Sequence, residues 1–148
     1  MVTHMLIATD GTQLAQKAVD EGLALAASTG ARVTALTVTE GWSVLDATHR
    51  SRAGAENPIH DYERTMQQRA KQVLGPVAEK ASSLGVRCET VHRPESTPAE
   101  AIVEEAEKRN CDMIVMASHG RRGLDRIMLG SQTLRVLALT NRAVLVYR

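Results

Sequence analysis

A three-layer α/β domain, a parallel sheet with helices on both faces, is the fold class this sequence predicts. Five short apolar runs, at residues 5–8, 33–38, 86–91, 113–117 and 143–146, alternate with longer segments of helical periodicity. Strands joined through helices pair in parallel, and right-handed crossovers bring their carboxyl ends to one edge. At 148 residues and 43% hydrophobic content the chain has the size of one domain and enough apolar side chains for one core. With no Phe, two Tyr and one Trp, that core must be aliphatic and packed by shape.

The first run, residues 5–8, ends in the polar turn Thr9-Asp10-Gly11-Thr12, and Thr12 is placed to cap the helix that follows. On that helix Leu14, Ala15, Ala18, Val19, Gly22, Leu25 and Ala26 fall on one face, and Gly30 stands where a left-handed cap belongs. Residues 33–38 do not alternate strictly, which predicts a strand buried on both faces. Residues 39–59 carry no periodicity and read as a long mobile connection. From Tyr62, apolar residues recur at helical spacing to Leu84, with a kink expected at Gly75-Pro76 and a stop at Gly85. After the strand at 86–91, Thr97-Pro98-Ala99-Glu100 has the form of a capping box with Pro at the first helical position. Lys108-Arg109-Asn110 suits the end of that helix. A last helix is expected from Ser131 to about Thr140.

Charge and aromatic content exclude several partners. Eighteen basic and seventeen acidic residues are interspersed, giving a net charge of +1, so no basic surface is evident for nucleic acid or an anionic membrane. Three aromatic residues cannot build a base-stacking platform. Cys88 and Cys111 have no Cys-x-x-Cys spacing and read as buried free thiols. His4, His49, His60 and His92 show no metal-ligand spacing and read as solvated side chains. With no basic leader and no long apolar stretch, the expected location is the cytoplasm.

Three polar segments meet at the carboxyl edge of the predicted sheet: residues 9–12, 38–41 and 117–131. Open α/β sheets bind ligands along that edge. The last segment joins a buried strand to a helix start, with Gly120 and Gly123 allowing close backbone approach and Gly130-Ser131 presenting amides and a hydroxyl at the positive helix end. That chemistry suits a di- or triphosphate. Glycines also simply make turns, and the loop by itself leaves both readings open.

Gly120, nine residues, then Gly130-Ser131 resembles the end of the Gly-x-x-Gly-x9-Gly-Ser/Thr ATP-binding motif of the universal stress protein family. Residues 6–12 resemble the family's first strand and aspartate, residues 97–102 the start of its third helix, and residues 143–146 its final strand. The resemblance covers nearly the whole chain. It implies a five-stranded parallel sheet ordered 3-2-1-4-5, of the Rossmann-like type, with adenosine between the ends of strands one, two and four. Asp10 would then contact ribose or the phosphate–metal group, and the main chain near Ala8, Thr9 and Val38 would flank the adenine. Met116 and Ala117 would border the site, and Gly120, Gly130, Ser131 and Gln132 would hold phosphates, with ATP and Mg²⁺ as the implied ligands. Ala117 departs from the motif's first Gly, and its methyl group is expected to crowd the closest approach. Ala143 stands where family members often carry Pro.

Other chemistries find less support. Ser118-His119 lacks the Gly two residues before a nucleophilic Ser, where Met116 stands, and neighbouring side chains need not meet. Asp10 without an acidic cluster is a poor phospho-acceptor, and neither a dinucleotide nor a P-loop fingerprint occurs. Arg121, Arg122 and Arg126 either solvate the loop or face phosphates. The functional expectation is an ATP-binding stress or regulatory module, homodimeric through its last strand, whose hydrolysis is slow at most. The alternative is a nucleotide-free interaction protein of the same fold.

Overall fold

The computed structural model describes residues 1–94, 97–119 and 129–148. Its strands are β1 (His4–Ala8), β2 (Arg32–Thr39), β3 (Cys88–Pro94), β4 (Met113–Ala117) and β5 (Ala143–Tyr147). Its helices are α1 (Gln13–Thr29), α2 (Val44–Arg52), α3 (Pro58–Ser83), α4 (Pro98–Lys108) and α5 (Ser131–Leu139). All four strand pairings are parallel and the sheet order is β3-β2-β1-β4-β5, as the resemblance implied.

Two apolar layers follow from the period of two along the strands. Met5, Ile7, Val33, Ala35 and Val115 face Val19, Leu23 and Ala26 of α1 and Leu74, Val77 and Ala81 of α3. Leu6, Leu36, Ile114 and Met116 face Ile102, Val103 and Ala106 of α4 and Val136 of α5. Gly22 is required by this packing, because a β-carbon there would lie 2.8 Å from Ile7 Cδ1 and 3.2 Å from Val115 Cγ1. Small residues thus let α1 lie close to the sheet, the aliphatic substitute for large rings.

Helix ends mostly obey the local signals. Thr12 Oγ1 accepts from the Ala15 amide at 3.3 Å, and Gly30 closes α1 in the left-handed region at φ 71°. Pro98 opens α4 as expected, yet Thr97 makes no side-chain cap bond. Instead Gln132 Oε1 accepts from the Ala99 amide at 3.1 Å, and Glu100 pairs with Arg135, so a neighbouring helix supplies the cap.

Several expectations need correction. Residues 39–59 contain α2, whose Val44 and Leu45 are 75% and 72% exposed. A helix that turns no apolar stripe to the core shows no burial-driven periodicity, which is why the pattern missed it. α3 begins at Pro58, four residues ahead of Tyr62, capped by Asn57 Oδ1 accepting from the His60 amide at 3.2 Å, and runs through Pro76 to Ser83 as one helix. β3 starts at Cys88 rather than Val86; Val86 is buried beneath the turn, while the edge strand is only partly covered. Leu23, absent from the predicted α1 face, is fully buried, whereas Leu14 and Leu25 are half-buried. Cys88 is only partly buried; Cys111 is fully buried, and burial pushes its thiol up to about 11.

The histidines are not all solvated. His4 is buried, with Nε2 2.9 Å from Thr34 Oγ1 and Nδ1 3.2 Å from the Arg109 carbonyl; burial, then the charge of Arg32, lowers its pKa. His92 Nε2 lies 2.7 Å from Thr39 Oγ1, and burial lowers its pKa also. Beside β3, the buried Glu105 carboxylate lies between Arg93, at 3.0 Å, and Arg109. Burial disfavours its charge, but these two guanidiniums outweigh that and hold its pKa down.

Candidate functional site

The strand order reverses beside β1: the chain moves outward to β2 and β3, then returns to place β4 on the other flank. The carboxyl ends of β1 and β4 therefore diverge into helices on opposite sides, which opens a crevice at that edge. Loop 9–12 forms one wall. Thr9 is buried, its amide donates to the Leu36 carbonyl at 2.9 Å, and its hydroxyl accepts from the Gly11 amide at 3.2 Å. Asp10 Oδ1 accepts from both the amide (3.0 Å) and the hydroxyl (2.7 Å) of Thr12, so the carboxylate is oriented by the same residue that caps α1. Gly11 adopts φ 80°, and a β-carbon there would lie 2.9 Å from Val73 Cγ2 of α3.

The opposite wall is the end of β4 locked to the start of α5. Gly130 N–H donates to the Ser118 carbonyl at 2.7 Å, and Thr133 Oγ1 donates to the carbonyls of Ala117 (3.1 Å) and Ser118 (2.9 Å). A β-carbon on Gly130 would stand 3.1 Å from Ser118 O, His119 Cα and His119 Cβ, so any side chain there would push helix and strand end apart by a few tenths of an ångström. Gly130 supplies no side-chain cap. The first-turn amides of Ser131, Gln132 and Thr133 meet no backbone carbonyl among the described residues, and the positive end of the helix dipole accompanies them.

Ala8 and Val38 are half-buried and pack on the α4 layer with Met116. The methyl of Ala117 packs on Ala15 and Ala18 of α1, so the crowding expected of it is taken up by the core. Gln132 Oε1 is committed to the α4 start, which leaves its side-chain NH2 and its main-chain amide for a ligand. Gly120, with Gly123, Arg121, Arg122 and Arg126, lies outside the described residues. Ser118 Oγ is 3.1 Å from His119 Nδ1, so these neighbours do meet, contrary to expectation. Thr133 was missed; its signal is a small hydroxyl residue one turn into the helix after Gly-Ser, able to bond back to the strand end.

The family model of universal stress proteins matches residues 1–148. The chain belongs to the universal stress protein family. A universal stress protein of Bacillus subtilis, YxiE, is 31% identical over 152 residues, covering all of both chains. The solved structure of MJ0577, a protein whose biochemical function was assigned from its structure, superposes with a TM-score of 0.82 at 24% identity over 99% of this chain and 96% of its own. A universal stress protein solved with cAMP (TM-score 0.71, 20% identity, 99% and 97% covered) and one from Archaeoglobus fulgidus solved with dAMP (0.69, 16%, 100% and 98%) share the fold. Within this family fold, no group of three His, Cys, Asp or Glu able to hold a metal occurs among the described residues. Nor is any helix among them long and apolar enough to cross a membrane.

Proposed function

We propose that this universal stress protein binds an adenine nucleotide, ATP with Mg²⁺, in the crevice between the ends of β1 and β4, and acts as a nucleotide-dependent module in stress response or regulation. The observation that carries the reading is the start of α5, which has no side-chain cap and is held against β4 by a glycine whose missing β-carbon lets helix and strand end approach closely. Amides without partners at a positive helix end suit phosphate oxygens, and Ser131 adds an exposed hydroxyl beside them. Ala8, Thr9 and Val38 offer main chain and apolar surface for a base, and the main chain of Met116 and Ala117 at the end of β4 borders it. Asp10, at the end of β1, puts a carboxylate on the crevice wall, suited to ribose or to a magnesium ion carried on the phosphates. The cAMP and dAMP bound by structural relatives support adenine as the base.

Isothermal titration with ATP and Mg²⁺ tests the reading: saturable heat and a raised melting temperature are expected, and the absence of both at millimolar ATP refutes it. Homodimerisation through β5 is part of the proposal. Edge strand β5 and the adjoining α5 expose Leu134, Leu137, Leu139 and Leu145 at 51%, 42%, 47% and 38%, an apolar face that a second copy would cover. Light scattering should give a dimer that Val144→Asp or Val146→Asp splits; a monomeric wild type at high concentration refutes it.

A further inference from the structure

The opposite, amino-terminal edge of the sheet carries a second polar cavity. Register aligns His4 of β1 with Arg32 of β2. Val33 N–H donates to the Arg87 carbonyl at 2.8 Å, which continues the β2–β3 ladder one step below the Val33–Cys88 pair and sets Arg87 beside Arg32. Laterally paired residues share a face, so His4, Arg32 and Arg87, the residue just ahead of β3, stand in one row at this edge of the sheet. They border an open cavity of about 200 Å³ whose wall also includes Thr34, Cys88 and Glu89.

The charges in this row are unusual. Arg87 precedes β3, and two guanidiniums set side by side where the β2–β3 ladder is continued repel each other. Every other arginine that borders this part of β3 is paired: Arg93 with Glu104 and Glu105, Arg109 with Glu89 and Glu105. Among the described residues, Arg32 and Arg87 have no carboxylate partner, and Glu89, the acid in the cavity wall, is occupied by Arg109 Nη1 at 2.7 Å. His4, the buried end of the row, is bonded to Thr34, and the two form a fixed polar wall beside the guanidiniums.

We infer that this cavity is a second ligand site, at the sheet edge opposite the nucleotide crevice, which takes a phosphate group between the guanidiniums of Arg32 and Arg87. Guanidinium forks match phosphate oxygens two at a time, and one dianion relieves the repulsion between both arginines. The inference is independent of nucleotide binding, since no residue of the row touches the β1–β4 crevice.

The test is a ¹⁵N–¹H titration of the full chain with inorganic phosphate at constant ionic strength, with glycerol 2-phosphate as a parallel probe. Amide shifts are expected at Arg32, Val33, Arg87 and Cys88. Arg32→Gln or Arg87→Gln should each weaken phosphate binding about tenfold, as loss of a charged hydrogen-bond partner does, and the double variant should abolish it. In chloride these exposed substitutions should leave folding and ATP titration unchanged. Tighter binding of glycerol 2-phosphate assigns the ligand as a phosphate monoester, and equal binding assigns free phosphate. The inference is overturned if phosphate shifts only amides near Ser131, shifts none, or binds the double variant as well as the wild type.

Discussion

Gly130→Ala and Gly130→Asp separate the two things this glycine does at the start of α5. A β-carbon there would lie 3.1 Å from Ser118 O and from two His119 carbons, short of ordinary carbon contacts near 3.5 Å, so helix and strand end must part by about 0.4 Å. The φ of −61° is suited to any residue, so no backbone strain is added. Overpacking of this size costs about 1 kcal/mol, which lowers the melting temperature of a chain this long by about 2–4 °C. The alanine variant should therefore melt a few degrees lower and bind ATP about tenfold more weakly, as the 2.7 Å bond from Gly130 to Ser118 lengthens. Aspartate adds a negative charge roughly 5 Å from the phosphates. At an effective dielectric near 20 that repulsion is about 3 kcal/mol, a further loss of about 10²-fold. The assay is calorimetric titration of both variants, with thermal melts of the nucleotide-free proteins as the folding control. Aspartate binding ATP as tightly as alanine, with both folded, would refute the placement of phosphates at this helix end.

Asp112 accepts from the amide and hydroxyl of Thr3 and from the His4 amide, and these bonds hold its carboxyl down at about 2 from 3.8. An acid with a depressed pKa stabilises the fold above its unfolded value and loses that contribution as pH falls from about 4 to about 2. The lowered value corresponds to about 2 kcal/mol, which screening at this partly exposed position reduces to about 1 kcal/mol. Asp112→Asn should lose that amount at neutral pH and flatten the acid limb in urea melts followed by circular dichroism; an unchanged limb counts against the bond set. Glu105→Ala leaves Arg93 and Arg109 facing a buried vacancy and should cost about 3–5 kcal/mol in chemical denaturation, against well under 1 kcal/mol for Glu104→Ala, an exposed partner of Arg93. Equal losses would show that burial of the pair does not matter. His119→Ala should leave slow single-turnover ATP hydrolysis unchanged, because no described side chain in the crevice is arranged to position water; wild-type turnover above about 1 per second would contradict a binding module.

Most of the fold was legible because burial imposes periods. β4 at Met113–Ala117, the Thr12 cap, the Gly30 cap and the Pro98 start all lie where spacing and local chemistry put them. Where an element buries little, the pattern had nothing to report: α2 exposes its apolar residues, and β3 is an edge strand that starts two residues and ends three residues later than expected. The candidate site divides in the same way. Gly130-Ser131 and Asp10 are visible as motif chemistry, since glycine and helix-end amides mean much the same in any fold that approaches a phosphate.

Tertiary structure decided which of those groups are committed elsewhere. It spent the Gln132 carbonyl on the start of α4 and turned the Ala117 methyl into α1. It brought Thr133 back to the end of β4 and set Arg32 beside Arg87, 55 positions further along the chain. A linear sequence determines which side chains can bond and with what period they recur. Which acceptor each donor meets depends on strand order and register, and those exist only once the helices have packed on both faces of the sheet.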